Sequence, residues 1–304
     1  MAKKKTPKEQ LPEGMSRRQA KLAARAAERA ALAKDPRPFG GFAMEADLIA
    51  LQEFVPSATA PLPLSVEAPR PITLVTLLPG AGAGVAREND VLIALQAASR
   101  SQNPGRDLAR CIQWALDAQP GDTLSSAIAD GQEPALSDLL PADATLDITE
   151  HEDFDWWLPE GQAASLSPEL AASFRQANEA IIPSTQVAPE LPGSAWWVDP
   201  GTKAHIRWVY PTESENAMLN ALARIAARGE LHLGEKTKFA GVFRTHGIVV
   251  PVFDLDRTVP AESYAEPMAV LNTALEKELS NDAPLSAEER RKLQNIKSRE
   301  VTIR

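Results

Sequence analysis

Proline sets the first limit on what this chain can fold into. Five prolines fall between Pro56 and Pro71, and a second proline-rich stretch runs from Pro183 to Pro192. Proline fixes φ and donates no backbone hydrogen bond, so neither stretch belongs inside a helix. The first reads as an extended crossing segment, a linker or an edge; the second reads as a boundary between two halves. With 304 residues, 44% of them hydrophobic, the chain has material for one large core or two smaller ones.

Between these stretches the elements alternate in kind. Glu45–Phe54 reads as a short amphipathic helix with Leu48, Leu51 and Phe54 on one face. Ile72–Leu78 and Asp90–Gln96 read as strands paired in a hairpin across the Pro79–Gly84 turn, and a helix follows from the Asn103-Pro104 start, with Leu108, Cys111, Ile112 and Ala115 on its inner face. A short helix near Ala135–Leu140 and another at Pro168–Ala180 complete the first half. In the second half, Ala195–Val198 and His205–Tyr210 form a hairpin, Thr212 and Glu215 a capping box for a helix running to Arg228, and Gly229 its stop. Phe239–Arg244 and Ile248–Phe253 form a hairpin around His246-Gly247, before a helix over Ala261–Glu278. The expected class is α+β, with repeated ββα units whose antiparallel hairpins lie on helices. The expected divisions are an arm at 1–38, halves at 39–182 and 183–284, and a charged helix or tail at 285–304.

Charge is distributed unevenly. The net charge is −9, yet residues 1–38 carry +7, which leaves −16 on the remainder. Ser16 and Gln19 stand at capping-box spacing before an alanine-rich run, which predicts an exposed helix over about 17–33. Arg17, Arg18, Lys21, Arg25 and Arg29 cover much of its surface, a pattern suited to phosphate contacts on RNA, DNA or a ribonucleoprotein. The bland alternative is a solvated extension, or one that folds back on the acidic body.

No motif carries a named chemistry. Gly80, Gly82 and Gly84 follow a strand but precede another, so they read as a loop and not a dinucleotide fingerprint. Gly229, Gly234, Lys236 and Thr237 miss the P-loop spacing because Glu235 intervenes. Glu150, His151, Glu152, Asp153 and Asp155 lack any metal-ligand spacing and read as a solvated loop anchored by Phe154, Trp156 and Trp157. The four histidines are dispersed, no Gly-x-Ser-x-Gly elbow is present, and the lone Cys111 sits on an apolar helix face. Trp196, Trp197 and Trp208 could offer stacking platforms, although core burial suits large aromatics better. Strand alternation should bury one ring of a tandem pair and leave the other partly exposed. No catalytic residue, cofactor or metal is assigned.

One cysteine allows no internal disulfide, the Lys-rich start lacks an apolar export core, and no apolar run approaches the roughly 20 residues of a membrane span. The expected location is the cytoplasm. The segment Met15-Ser16-Arg17-Arg18-Gln19-Ala20-Lys21 through Asp35-Pro36-Arg37-Pro38-Phe39 to Gly40-Gly41-Phe42, with Val209-Tyr210-Pro211 and Phe253-Asp254, resembles a family of actinobacterial proteins of unknown function. Members of that family carry automatic labels of topoisomerase II or SecA-like preprotein translocase subunit. The present chain shows no catalytic-tyrosine context, helicase motif or Cys-rich zinc tail to match them, and the resemblance supplies no site residues.

The leading expectation is a non-enzymatic binding protein, its basic arm on nucleic acid or ribonucleoprotein and its acidic globule on protein. A second is an enzyme using Asp153, Asp155, Asp254 or Asp256, and His246, in a cleft between the halves. A third is a protein-interaction module with an exposed apolar patch around Trp156 or Trp197.

Overall fold

A computed structural model describes Arg18, Leu22 and residues 33–158 and 167–302. Its twelve described strands form two six-stranded sheets. The first contains β1 (Ala58–Pro61), β2 (Ile72–Val75), β3 (Gly84–Ala86), β4 (Val91–Ala94), β5 (Thr123–Leu124) and β6 (Thr149–Glu150), in the order β5-β3-β4-β2-β1-β6. The second contains β7 (Ser184–Gln186), β8 (Ser194–Val198), β9 (Ala204–Val209), β10 (Lys238–Thr245), β11 (Ile248–Leu255) and β12 (Glu300–Thr302), in the order β12-β10-β11-β9-β8-β7. The helices are α1 (Glu45–Glu53), α2 (Pro104–Asp117), α3 (Leu136–Leu139), α4 (Pro168–Glu179), α5 (Glu215–Ala227), α6 (Ala265–Leu279) and α7 (Ala287–Lys297). The α+β class and its antiparallel hairpins are as expected.

Alternation along the strands sorts the cores. In the second sheet Ala195, Ile206, Trp208, Val249 and Phe253 face α5, α6 and α7. Trp196, Val198, Val209, Phe243, Ile248 and Val250 face the other way and share a core with Leu48 and Ile49 of α1, Leu108 and Ile112 of α2, and Leu74 and Ile93 of the first sheet. The outer face of the first sheet, through Val75, Leu78 and Leu92, meets Trp156 and Trp157. The layers therefore run from α5–α7, through the second sheet, α1 with α2, and the first sheet, to the aromatic segment.

Several local expectations change. Ile72–Val75 and Val91–Ala94 pair in parallel, not as a hairpin, because β3 emerges from the glycine loop and takes the antiparallel place beside β4. Central β4 is buried at all four residues, as expected of a strand covered on both faces. The proline-rich crossing segment contributes β1, which lies between β2 and β6. The α5 cap is Ser214, whose hydroxyl accepts the Ala217 N–H, and not Thr212. Asn103 holds the N-cap position of α2, but its side chain is spent elsewhere: Oδ1 accepts the Asp35 N–H and Nδ2 donates to the Ala33 carbonyl. Helix α1 is not amphipathic. Seven of its nine residues are buried, since the second sheet covers the side that periodicity leaves to solvent.

The root of the arm is pinned by both halves. Arg37 forms a two-pronged ion pair with Glu45 at 2.7 Å and reaches Glu213 at 3.3 Å, while Asn103 holds Asp35. The β10–β11 turn lies beneath it. His246 and Gly247 have φ of 48° and 77°, as a two-residue hairpin turn requires, and a Cβ on Gly247 would meet the Pro36 carbonyl at 2.5 Å. Gly121 also has a left-handed φ, 93°, but open space around it. Gly247→Ala should therefore lower unfolding free energy by about 2 kcal/mol or more, against about 1 kcal/mol for Gly121→Ala, in urea titrations of the two variants.

Candidate binding cleft

Helix α1 ends at Glu53, and Phe54 leaves it across the face of the second sheet. Between this helix end and strands β9, β10 and β11 lies a cavity of about 330 Å³. Alternation on β9 places His205 and Arg207 on this face, while Ile206 and Trp208 are buried on the other. The guanidinium carbon of Arg207 lies 5.4 Å from the Phe54 ring centroid, and Phe54 meets Phe243 edge-on at 6.4 Å. Burial pulls the Arg207 pKa down, and no neighbouring carboxylate raises it. This cation is held against an aromatic ring and forms no ion pair with any described residue.

The floor of the cleft is irregular. The β10–β11 register shifts between Phe239 and Gly241, which makes Ala240 the extra residue of a β-bulge. Gly241 has φ of 149°, and a Cβ there would lie 2.9 Å from the Arg299 carbonyl, so the chain entering β12 crosses close above it. That crossing sets Arg299 at the rim of the cavity, with its residue exposed.

Two acid–histidine pairs border the space. His205 Nδ1 lies 3.1 Å from Asp254 Oδ1, and the other Asp254 oxygen accepts from Lys203 at 3.2 Å. Glu53 Oε1 meets His246 Nε2 at 2.9 Å and Arg100 at 3.7 Å. Burial raises the Glu53 carboxyl, but the hydrogen bond and charge of His246, with Arg100, outweigh it and hold the group below its ordinary value of 4.5.

The residues expected from the sequence lie elsewhere or do not converge. Arg17, Lys21, Arg25 and Arg29, with most of the expected 17–33 helix and its Ser16 cap, fall outside the described residues; Arg18 is helical and exposed. Asp153 and Asp155 belong to the turn before the aromatic segment, where Asp153 Oδ1 accepts the Asp155 N–H. Asp256 turns away after β11 and accepts both Thr258 donors, which lower its pKa. Asp254 and His246 stand at opposite ends of the β11 hairpin arm, about 20 Å apart at ordinary strand rise. The proposed five-residue acid–base set is therefore not assembled. The cleft draws on Asp254 only through His205, and on His246 only through Glu53.

The aromatic readings divide in the same way. Trp196 and Trp208 are fully buried and offer no stacking surface, while Trp197 is half-buried, as alternation requires. Trp156 and Trp157 do not alternate, because they lie in a 3-10 turn; their indole N–H groups donate to Ser57 and to the Leu77 carbonyl. The large exposed apolar residues that are described, Leu22, Ile128, Ile182 and Val270, include none of these tryptophans. Cys111 is buried, and burial followed by the Asp107 charge pushes its thiol up to about 12, outside nucleophilic use. Among the described residues no helix is long and apolar enough to cross a membrane.

Two six-stranded sheets joined through a buried helix define the class: an α+β protein with a cleft between that helix's end and the second sheet. Residues 38–304 match a family of unknown function, DUF5926, and the chain belongs to it. No curated protein and no solved structure matches the chain.

Sequence reasoning missed Arg207, Phe54 and Arg299. The signal for Arg207 was available, since a charged residue between Ile206 and Trp208 on an apolar strand must face something other than the α5–α6 core. For Glu53, a carboxyl held low in the folded state stabilises the protein above its unfolded value and loses that contribution as pH falls through the folded one. The stability difference between the wild type and Glu53→Gln should hold above about pH 4.5 and close as pH falls below it, as read by urea unfolding over an acidic pH series.

Proposed function

We propose that the protein binds a small anionic group in this cleft, with Arg207 as the residue that receives it. The observation that carries this reading is a half-buried guanidinium that opens into a cavity and has no carboxylate partner. An uncompensated charge away from water is costly, and proteins ordinarily pair it or replace it. A cation kept in that condition is poised for a partner that comes from outside. In this reading the halves 39–182 and 183–284 form the two walls of one site, α1 and Phe54 on one side and the second sheet on the other.

The test uses thermal unfolding at fixed ionic strength with acetate or inorganic phosphate. Wild type should gain melting temperature saturably with at least one of them, and Arg207→Leu should lose that gain. Without ligand, Arg207→Leu should be as stable as wild type or more stable by about 1 kcal/mol, because it removes an unpaired charge. A strongly destabilised Arg207→Leu together with an unresponsive wild type would overturn the reading.

A second reading is favoured by the charge split and by the exposure of Arg18: the arm docks on RNA, DNA or a ribonucleoprotein through Arg17, Arg18, Lys21, Arg25 and Arg29. The family match starts at residue 38, after these residues. Binding of a fluorescent RNA or DNA duplex to the full chain should fall steeply with salt and vanish when residues 1–32 are removed. Equal binding by both forms, or binding indifferent to salt, would remove this role from the arm.

A further inference from the structure

The charges around the cleft are of both signs, and this narrows the ligand beyond a simple anion. We infer that the cleft takes a zwitterion, a free α-amino acid with an apolar side chain, its carboxylate on Arg207 and its ammonium on Glu53. The inference rests on the anion-binding reading above and adds the second charge and the body of the ligand.

Glu53 supplies the first argument. It lines the same cavity as Arg207. His246 and Arg100 both approach its Oε1, and no described residue bonds Oε2. A carboxylate has capacity for several donors, so Oε2 can accept an N–H from a ligand. The group remains ionised, since its neighbours hold it below the ordinary carboxylate range.

Helix α1 supplies the second. Glu53 is its last residue, so the helix presents the negative end of its dipole to the cavity, where a cation is favoured and an anion opposed. A phosphate dianion would meet this field and the Glu53 charge together, with only the half-buried Arg207 and the exposed, water-screened Arg299 at the rim to answer it. A carboxylate needs only one such planar fork, which it accepts through two parallel N–H bonds.

The walls supply the third. Phe54, Phe243 and Val252 give the cavity an apolar side, and its volume of about 330 Å³ is small among ligand sites, which commonly run to ~300–1,000 Å³. An amino acid with an aliphatic or aromatic side chain suits that space. Arg207 and Glu53 line the same cavity and do not pair with each other, so the two charges can meet opposite ends of one ligand.

The test is a calorimetric titration of the full chain with three probes of one shape: L-phenylalanine, 3-phenylpropionate, which lacks the ammonium, and 2-phenylethylamine, which lacks the carboxylate. L-Phenylalanine should bind at least about tenfold more tightly than either analogue, as expected when a charged hydrogen-bonding partner is removed. Glu53→Gln should abolish the preference for phenylalanine over 3-phenylpropionate, and Arg207→Gln the preference over 2-phenylethylamine. The ligand series on the wild type needs no variant to fold. Equal, Arg207-dependent binding of phenylalanine and 3-phenylpropionate would overturn the zwitterion while leaving the anion site standing. No binding by any probe, with acetate and phosphate also without effect, would remove both.

Discussion

A helix buried along most of its length imposes terms on everything around it, and α1 is that helix here. Its apolar residues are enclosed by the first sheet, by α2 and by the second sheet, so the two halves share one core across it. Its polar groups then depend on partners inside the protein, which Asp47 Oδ1 and Gln52 Oε1 lack and others find. Glu45, buried in the first turn, is met by both prongs of Arg37. At the other end, the carbonyls of Leu51 and Val55 accept from Gln96 Nε2 at 2.6 and 2.7 Å, so a side chain from the end of the first sheet does the work of a cap. Losing one partner of a buried charge pair costs ~3–5 kcal/mol, which makes Arg37 a structural residue despite its place at the root of a basic arm.

The cleft follows from where this helix stops. A longer α1 would cover Arg207 and close the space; Phe54 instead departs with a non-helical backbone, and its ring becomes one wall. The opposite wall is made irregular by the bulge at Ala240, which interrupts the β10–β11 ladder where β12 crosses. Without the bulge the hairpin would present a regular surface to α1, and apolar residues would fill the interface as they do at Ile248 and Val250 further along. The cavity is thus a product of three chain ends or defects meeting: a helix terminus, a bulge and the entry to β12.

The legible parts of the sequence were those governed by near neighbours. Both second-half hairpins, the His246-Gly247 turn, the Gly229 stop and the inner face of α2 all depend on residues within one or two turns or strands of each other. Errors arose where a distant segment took over. Asn103 takes the expected N-cap position, but its side chain binds Ala33 and Asp35; β1 read as a linker or an edge because its partners, β2 and β6, lie across a proline-rich crossing and some 90 residues away in the second case. The amphipathic reading of α1 failed for the same reason, since nothing within the helix announces the second sheet. The cleft was the least legible of all, because Arg207, Glu53 and Arg299 share no motif and meet only through the packing of the two halves.

The long-range field of the protein bears on what can reach that cleft. Residues 39–304 carry a net charge of −16, and a surface of that sign repels anions and attracts cations over distances of about a Debye length, ~8 Å in physiological salt. A multiply charged anion must approach against this field before it meets Arg207. A zwitterion has no net charge to be repelled, and it orients in the gradient with its ammonium towards the acidic side. The same field pulls on the arm, whose +7 is tethered to the body through Arg37 and Asp35. On the nucleic-acid reading proposed for the arm, its partner would have to outcompete an acidic surface that is always present at high local concentration. A polyanion of closely spaced phosphates can do so by releasing its condensed counterions, whereas an isolated phosphate cannot.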